Sequence, residues 1–82
     1  MKVTVTKKVP EQSLRITTEF IKLESAMKLS NSVFSGGEAK AVIQDGLVKV
    51  NGEVCTMRGK KLYNGDCFSY RGANFRIVYD AE

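Results

Sequence analysis

Two glycines at a predicted helix start are the residues of this sequence best suited to contact an anion. Gly36 and Gly37 follow Ser35 in the stretch SGGEAKAVIQDG and would form the first turn of a helix. The N–H groups of a first turn lack intrahelical partners and lie at the positive end of the helix dipole. Without side chains, they would let a phosphate approach the backbone closely, with Lys40 one turn further on. The alternative is that the glycines allow tight packing against a neighbouring helix.

The densest basic cluster of the chain is a second candidate for phosphate contact. Arg58, Lys60 and Lys61 lie within the stretch MRGKKL, and a solvated surface loop is the alternative explanation for them. Lys7 and Lys8 form a weaker candidate near the amino terminus. Lysine and arginine total 13 against 9 acidic residues, a formal net charge of +4. This charge favours an anionic partner but does not identify it.

The residue types on which most enzymes depend are missing or isolated. The chain has no histidine, and two cysteines, Cys55 and Cys67, are too few for a disulfide framework. A zinc site needs about four Cys, His or carboxylate ligands. Serine, cysteine and aspartate nucleophiles have no identifiable base. We therefore expect no enzyme activity, no metal and no cofactor, and we interpret the cysteines as buried, reduced thiols on strands.

Length and composition predict a single small domain over residues 1–82. The chain is 43% hydrophobic and 27% charged, as in ordinary globular proteins. No apolar run approaches the roughly 18 residues of a membrane span, and MKVTVTKKVP lacks the apolar core of a signal peptide. We expect a cytoplasmic protein with no membrane partner and no small-molecule substrate.

Hydropathy periodicity predicts one strand and two helices in the first half of the chain. Alternating residues predict a strand over about residues 2–9. A helix capped by Thr17 or Thr18 is predicted through EFIKLESAMKL. The second helix should begin with a capping box between Ser35 and Glu38 and end at Asp45, with Gly46 in the left-handed position.

The second half of the chain predicts β-structure. LVKVNGEV reads as a hairpin with a three-residue loop in which Gly52 is left-handed. A plain two-residue turn would place Val50 opposite Glu53. The three-residue loop instead places Val48 opposite Val54 and Lys49 opposite Glu53, and we prefer it because it separates apolar from charged residues. Turn clusters at Asn64–Asp66 and at residues 71–74 separate the later strands. The predicted core consists of Phe20, Leu23, Met27, Val42, Ile43, Val48 and Val50.

Taken in order, these parts resemble the RNA-binding domain first seen in the small-subunit ribosomal protein S-four. The resemblance covers roughly residues 18–70, and its most specific marks are G-x-V-x-V-N-G, Gly46 to Gly52, and the later Gly65–Asp66. It implies an α+β fold built on an αL motif, two antiparallel helices followed by a β-hairpin, with additional small antiparallel or mixed strands. SGGEAK and RGKKL make the sequence similar to small stand-alone bacterial members.

The resemblance implies a non-catalytic module that binds structured RNA, either ribosomal or transfer RNA. The ribosome or its assembly intermediates would be its partners. Larger family members carry an arginine where Gly36 and Gly37 stand, and here only Lys40 continues the basic pattern. This departure shifts the expected contacts toward backbone and phosphate. The predicted RNA-binding residues are Lys22, Ser35, Gly36, Gly37, Lys40, Lys49, Asn51, Arg58, Lys60 and Lys61. A protein-interaction adaptor domain and a DNA-binding domain are the alternatives.

Overall fold

The computed structural model describes residues 11–79, and the strand predicted for about residues 2–9 lies outside them. Seven strands and two helices follow one another along this part of the chain. In order they are β1 (Glu11–Ile16), β2 (Phe20–Lys22), α1 (Leu23–Leu29), α2 (Gly36–Gln44), β3 (Val48–Val50), β4 (Glu53–Val54), β5 (Lys61–Tyr63), β6 (Cys67–Tyr70) and β7 (Ala73–Tyr79).

A mixed five-stranded sheet in the order β1-β7-β6-β3-β4 forms the body of the molecule. β1 runs parallel to β7, the other pairs are antiparallel, and β2 pairs with β5 in a separate antiparallel ribbon. The fold is α+β, but its description as an αL motif with small additional strands is wrong. The helices have only 7 and 9 residues, and strands hold most of the regular structure. Pairing between β1 and β7, which are distant in sequence, brings the two ends of the described chain into one sheet.

The first helix begins later than its periodicity predicts. Residues Phe20–Lys22 form β2, in which Ile21 lies opposite the fully buried Leu62. The hydroxyl of Thr18 donates a 2.7 Å hydrogen bond to the Phe20 carbonyl and does not cap a helix. Helix α1 therefore begins at Leu23, with Lys22 as its N-cap and no side-chain cap. Pairing with a distant strand overrides the local helical pattern here.

The ends of α2 confirm the prediction from local capping signals. The Glu38 N–H donates to the Ser35 hydroxyl at 3.2 Å. The Glu38 carboxylate accepts from the Phe34 N–H at 2.8 Å, one residue before the predicted Ser35 N–H. At the other end Gly46 is left-handed, with φ 78°, and the Leu47 N–H closes the helix on the Val42 carbonyl.

The predicted hairpin register is wrong by one residue. Lys49 lies opposite Val54 and Val50 opposite Glu53, across a two-residue turn. Asn51 and Gly52 are both left-handed, as the tight primed turn requires. The apolar side chains of β3 are covered by β6 and the core, with Val50 opposite Phe68. The short exposed strand β4 is therefore not needed to cover them.

The core lies among the helices and one face of the sheet. Leu23, Met27, Ile43, Val48 and Val50 are buried as predicted. Phe20 and Val42 are only half-buried. The remaining buried apolar residues are Leu14, Ile16, Ala26, Val33, Ala39, Leu62, Phe68, Tyr70, Phe75 and Ile77. Among residues 11–79, no helix is long and apolar enough to cross a membrane.

Candidate nucleic-acid interface

The first turn of α2 presents open backbone donors. Ser35 is the N-cap, and its hydroxyl accepts the N–H of Glu38. The N–H groups of Gly36 and Gly37 donate to no group within the part of the chain that the structure describes. Gly37 is exposed and Gly36 half-buried. An anion at this position could accept both hydrogen bonds and gain from the helix dipole.

The fold itself does not require either glycine. A Cβ added at Gly36 would lie 3.9 Å from the Lys28 ammonium nitrogen, and one at Gly37 would lie 3.9 Å from the Ser35 hydroxyl. Both distances are ordinary van der Waals contacts, and neither glycine has the positive φ that disfavours side chains. The contact geometry therefore does not support tight helix packing as the reason for these glycines.

Two lysines flank the open turn. Lys40 is exposed and follows the glycines by three and four residues, which places it on the same side of the helix. Lys28 is in the last turn of α1, and its ammonium group lies beside Gly36. Lys28 is not among the RNA-binding residues predicted from the sequence, although its place near the end of a predicted helix, ahead of a short link, was a usable signal. We call Gly36, Gly37, Lys28 and Lys40 the α2-start site.

The basic loop packs against the start of α1. The N–H of Leu23 donates to the Lys60 carbonyl at 2.8 Å, and that of Glu24 donates to the Arg58 carbonyl at 3.1 Å. The Arg58 guanidinium lies 3.9 Å from the Glu24 carboxylate, and the Arg58 side chain is exposed whereas that of Glu24 is half-buried. A partly exposed pair of this length contributes little to stability. The loop thus turns its carbonyls inward and leaves its cationic side chains at the surface.

The β2–β5 ribbon brings two further lysines to the same place. Lys22 and Lys61 lie directly opposite each other across the ribbon. Like charges in this arrangement destabilise a strand pair unless an anion or a ring compensates them. The Lys61 ammonium lies 4.8 Å from the centre of the Phe20 ring, which offsets part of that cost. We call Lys22, Arg58, Lys60 and Lys61, all exposed, the loop cluster.

The two basic groups lie at opposite ends of α1. The loop cluster surrounds its first residues, whereas Lys28 belongs to its last turn. Seven helical residues span about 10 Å. These two positive groups are therefore separated on the surface of the described chain, and α2 adds directional backbone donors to one of them.

The remaining two predicted contacts, Lys49 and Asn51, are placed differently. Lys49 is exposed on β3, between the buried Val48 and Val50, so its side chain lies on the sheet face opposite the core. The Asn51 side chain accepts the Cys67 N–H at 3.0 Å and donates to the Asp66 carboxylate at 3.3 Å. Asn51 thus holds the hairpin turn to β6. It also lines a groove of about 460 Å³, together with Lys60.

The cysteines differ from their predicted placement. Both are half-buried and free, and only Cys67 lies on a strand, since Cys55 follows β4. Burial raises the pKa of the Cys67 thiol, and its hydrogen bond to the Glu11 carboxylate adds to this effect. Cys67 therefore remains a protonated thiol at neutral pH. Within the described residues, no group of three His, Cys, Asp or Glu side chains could hold a metal ion.

Comparisons with known proteins agree with the motif-based interpretation. A family model described as the S4 domain matches residues 14–78. A curated relative, the "Probable ribosome maturation protein RlbA" of Bacillus subtilis (strain 168), is 39% identical over 66 residues. The match covers 79% of this chain and 93% of that relative.

Proposed function

The chain belongs to the S4 domain family of RNA-binding domains, and from this premise we propose that it is a non-catalytic module for structured RNA. The name of the Bacillus relative supports ribosomal RNA, within a ribosome or an assembly intermediate, ahead of transfer RNA as the partner. Such a role would place the protein in the cytoplasm. The observation that carries the proposal is the open first turn of α2, whose glycines the fold does not require.

Phosphate oxygens of the RNA would accept hydrogen bonds from the N–H groups of Gly36 and Gly37. The Lys28 and Lys40 ammonium groups would neutralise the same phosphate or its neighbour. Charge-assisted hydrogen bonds of this kind fix position without reading sequence. Recognition would therefore follow the shape of the RNA and its phosphate spacing, as is usual for structured RNA.

The loop cluster would contact a second set of phosphates through side chains alone. The carbonyls of Arg58 and Lys60 already accept hydrogen bonds from the first N–H groups of α1. They therefore do not compete with RNA phosphates for the cationic side chains. Lys22, Lys60 and Lys61 would contribute their charges fully, whereas Arg58 shares its charge with Glu24. Lys49 would lie at the rim of the interface or outside it, and the Asn51 amide is occupied within the chain.

Salt dependence of RNA binding tests this proposal. Four to six neutralised phosphates give a slope of log K against log salt of about −3 to −5, or about a hundred- to thousandfold weaker binding between 50 and 200 mM salt. Fluorescence anisotropy with a labelled RNA hairpin would measure it. The double variant Arg58→Ala, Lys60→Ala should reduce the slope by about one to two units for every RNA sequence alike, because Lys60 loses a full charge and Arg58 one that it shares with Glu24. Alanine keeps the carbonyls that close α1, so folding should be preserved.

The charge-matched control is the pair Lys7→Ala, Lys8→Ala. Equal losses from both pairs would mean that net charge, and not a located surface, produces the binding. A DNA hairpin of the same sequence is the second control, because phosphate contacts alone do not distinguish the two polymers. Equal affinity for both polymers would favour general nucleic-acid binding. Absence of any salt-sensitive binding would favour the adaptor alternative.

A further inference from the structure

Phe34 is the most exposed large apolar residue in the described part of the chain, with 96% of its surface accessible. The next most exposed, Met57, reaches 63%. Scattered surface apolar residues are normal, but an aromatic ring with almost its whole surface in water contributes nothing to the core. This ring directly precedes Ser35, the N-cap of α2.

The usual structural role of an apolar residue at this position is not used. A residue before the N-cap commonly packs against the fourth helical residue, here Ala39, as a hydrophobic staple. Ala39 is fully buried, whereas Phe34 covers nothing. The neighbouring Val33, 3% exposed, supplies the apolar contact that anchors this link to the core. The fold therefore gives no reason for an aromatic side chain at residue 34.

The backbone of Phe34 is nevertheless held firmly. Its N–H donates to the Glu38 carboxylate at 2.8 Å, and its two neighbours are the buried Val33 and the capping Ser35. The ring is thus presented from an ordered backbone beside the α2-start site. An aromatic group held in place before binding loses little conformational entropy when a ligand covers it.

The charges around the ring indicate what would cover it. The N–H groups of Gly36 and Gly37, two and three residues further on, have no partner among residues 11–79, and Lys28 and Lys40 flank them. Glu38 is the acidic group at this end of α2, and it is bonded to the Phe34 N–H. A purely apolar protein surface would leave the donors and ammonium groups unpaired. A nucleotide offers a flat base for the ring and a phosphate for the donors.

We propose that Phe34 stacks on an unpaired base of the bound RNA while the adjoining phosphate lies at the α2 start. This inference rests on the proposed function, and it narrows the expected ligand from structured RNA in general to RNA with an unpaired nucleotide. The preferred RNA contains an unpaired nucleotide at a bulge, loop or helix end, because bases inside a duplex already stack on one another. Every base has a flat face, so the preference is for an unpaired nucleotide and not for a particular base.

Two RNAs that differ in one feature test the inference. One is a blunt-ended RNA duplex without any unpaired nucleotide, and the other is the same duplex with a single-stranded 3′ extension. The wild-type protein should bind the extended RNA about five- to a hundredfold more tightly, the range that stacking of one base on an aromatic side chain gives. Phe34→Ala should abolish this preference and leave affinity for the blunt-ended duplex unchanged.

Conservative and matched variants separate stacking from other effects. Phe34→Trp should keep the preference, whereas Phe34→Leu, apolar but not aromatic, should lose most of it. Leu47→Ala is the control, because Leu47 is 56% exposed and lies beyond the opposite end of α2. A 2-aminopurine placed in the extension should lose fluorescence on binding to the wild type but not to Phe34→Ala.

Each remaining result has a distinct meaning. Equal affinity of wild type and Phe34→Ala for both RNAs overturns the stacking inference and leaves RNA binding intact. If Phe34→Ala instead changes sedimentation of the protein without RNA, the ring is a protein contact and the inference is overturned as well. Failure of the wild type to bind either RNA refutes the proposed function itself.

Discussion

Both helices begin with unpaired backbone donors, as every α-helix must, yet the chain treats the two starts differently. At α1 the N–H groups of Leu23 and Glu24 donate to carbonyls of the basic loop. At α2 those of Gly36 and Gly37 find no acceptor in the described chain. One start is closed by a distant segment, and the other is left for water or a ligand.

This difference shows that positive charge alone does not define a phosphate site. The loop cluster holds more cations, but the first two N–H groups of its helix already donate to the loop carbonyls. The α2-start site has fewer cations and adds two directional hydrogen bonds beside an exposed aromatic ring. We therefore expect the loop cluster to govern the salt dependence of binding and the α2 start to govern its geometry.

The largest expected effect on stability comes from the buried face of α2. Ile43 is fully buried, so Ile43→Ala should lower the free energy of unfolding by about 2–4 kcal/mol. Val42 is only half-buried, and Val42→Ala should cost less than Ile43→Ala. Urea denaturation followed by circular dichroism would measure both. Exposed Gln44→Ala is the control, and a loss below about 0.5 kcal/mol at Ile43 would contradict the assigned core face.

The second prediction concerns methyl groups added at the first turn of α2, where the N–H groups are open. The double variant Gly36→Ala, Gly37→Ala should stabilise the protein by about 1 kcal/mol, since both positions have room and alanine favours the helix. The same variant should bind RNA severalfold more weakly, because the methyl groups hinder approach of a phosphate. Gly37→Glu should weaken binding further without loss of stability, since an acid suits a helix start but repels phosphate.

Thermal unfolding and anisotropy titration of the same samples would check this opposition. A variant that is both more stable and equally able to bind RNA would show that the bare backbone has no role. A variant that is less stable would instead restore tight packing as the reason for the glycines.

The smallest expected effect on stability concerns a surface ion pair between strands β1 and β7. Arg76 donates to the Glu11 carboxylate at 3.0 Å across the β1–β7 pair, and this hydrogen bond lowers the pKa of Glu11. A carboxyl whose pKa is lowered by folding stabilises the protein above its unfolded pKa. That contribution is lost as the pH falls through the folded value, below about pH 4.5. Both side chains are substantially exposed, so the effect is small.

Glu11→Gln removes this contribution and therefore isolates it. The wild type should have the higher urea midpoint at pH 7, and the difference should be smaller at pH 3, because protonation of Glu11 removes the charge that Arg76 stabilises. Added salt should shrink the difference at pH 7 because the pair is at the surface. A difference that is the same at both pH values would assign the effect to packing and not to the carboxylate charge.

Local capping chemistry explains which parts of the fold could be predicted. Both ends of α2 depend on neighbours within four or five residues, namely Ser35 with Glu38 and Gly46 after Asp45. Strand β2 could not be predicted in this way. Its pairing partner lies about forty residues further along, and periodicity reports a helix equally well in so short a segment. The hairpin register failed similarly, because β6 and not β4 covers the apolar side of β3.

The sequence by itself determined the chemical groups and their local order: the two glycines after a capping serine, the basic loop, and the motifs of the S4 family. Tertiary structure alone decided which helix start is open, because the carbonyls that close α1 come from residues Arg58 and Lys60. It also decided that Lys28 lies beside Gly36 and that Phe34 remains uncovered. Hydrogen-bond partners and burial depend on segments that are distant in sequence, so spacing and composition do not report them.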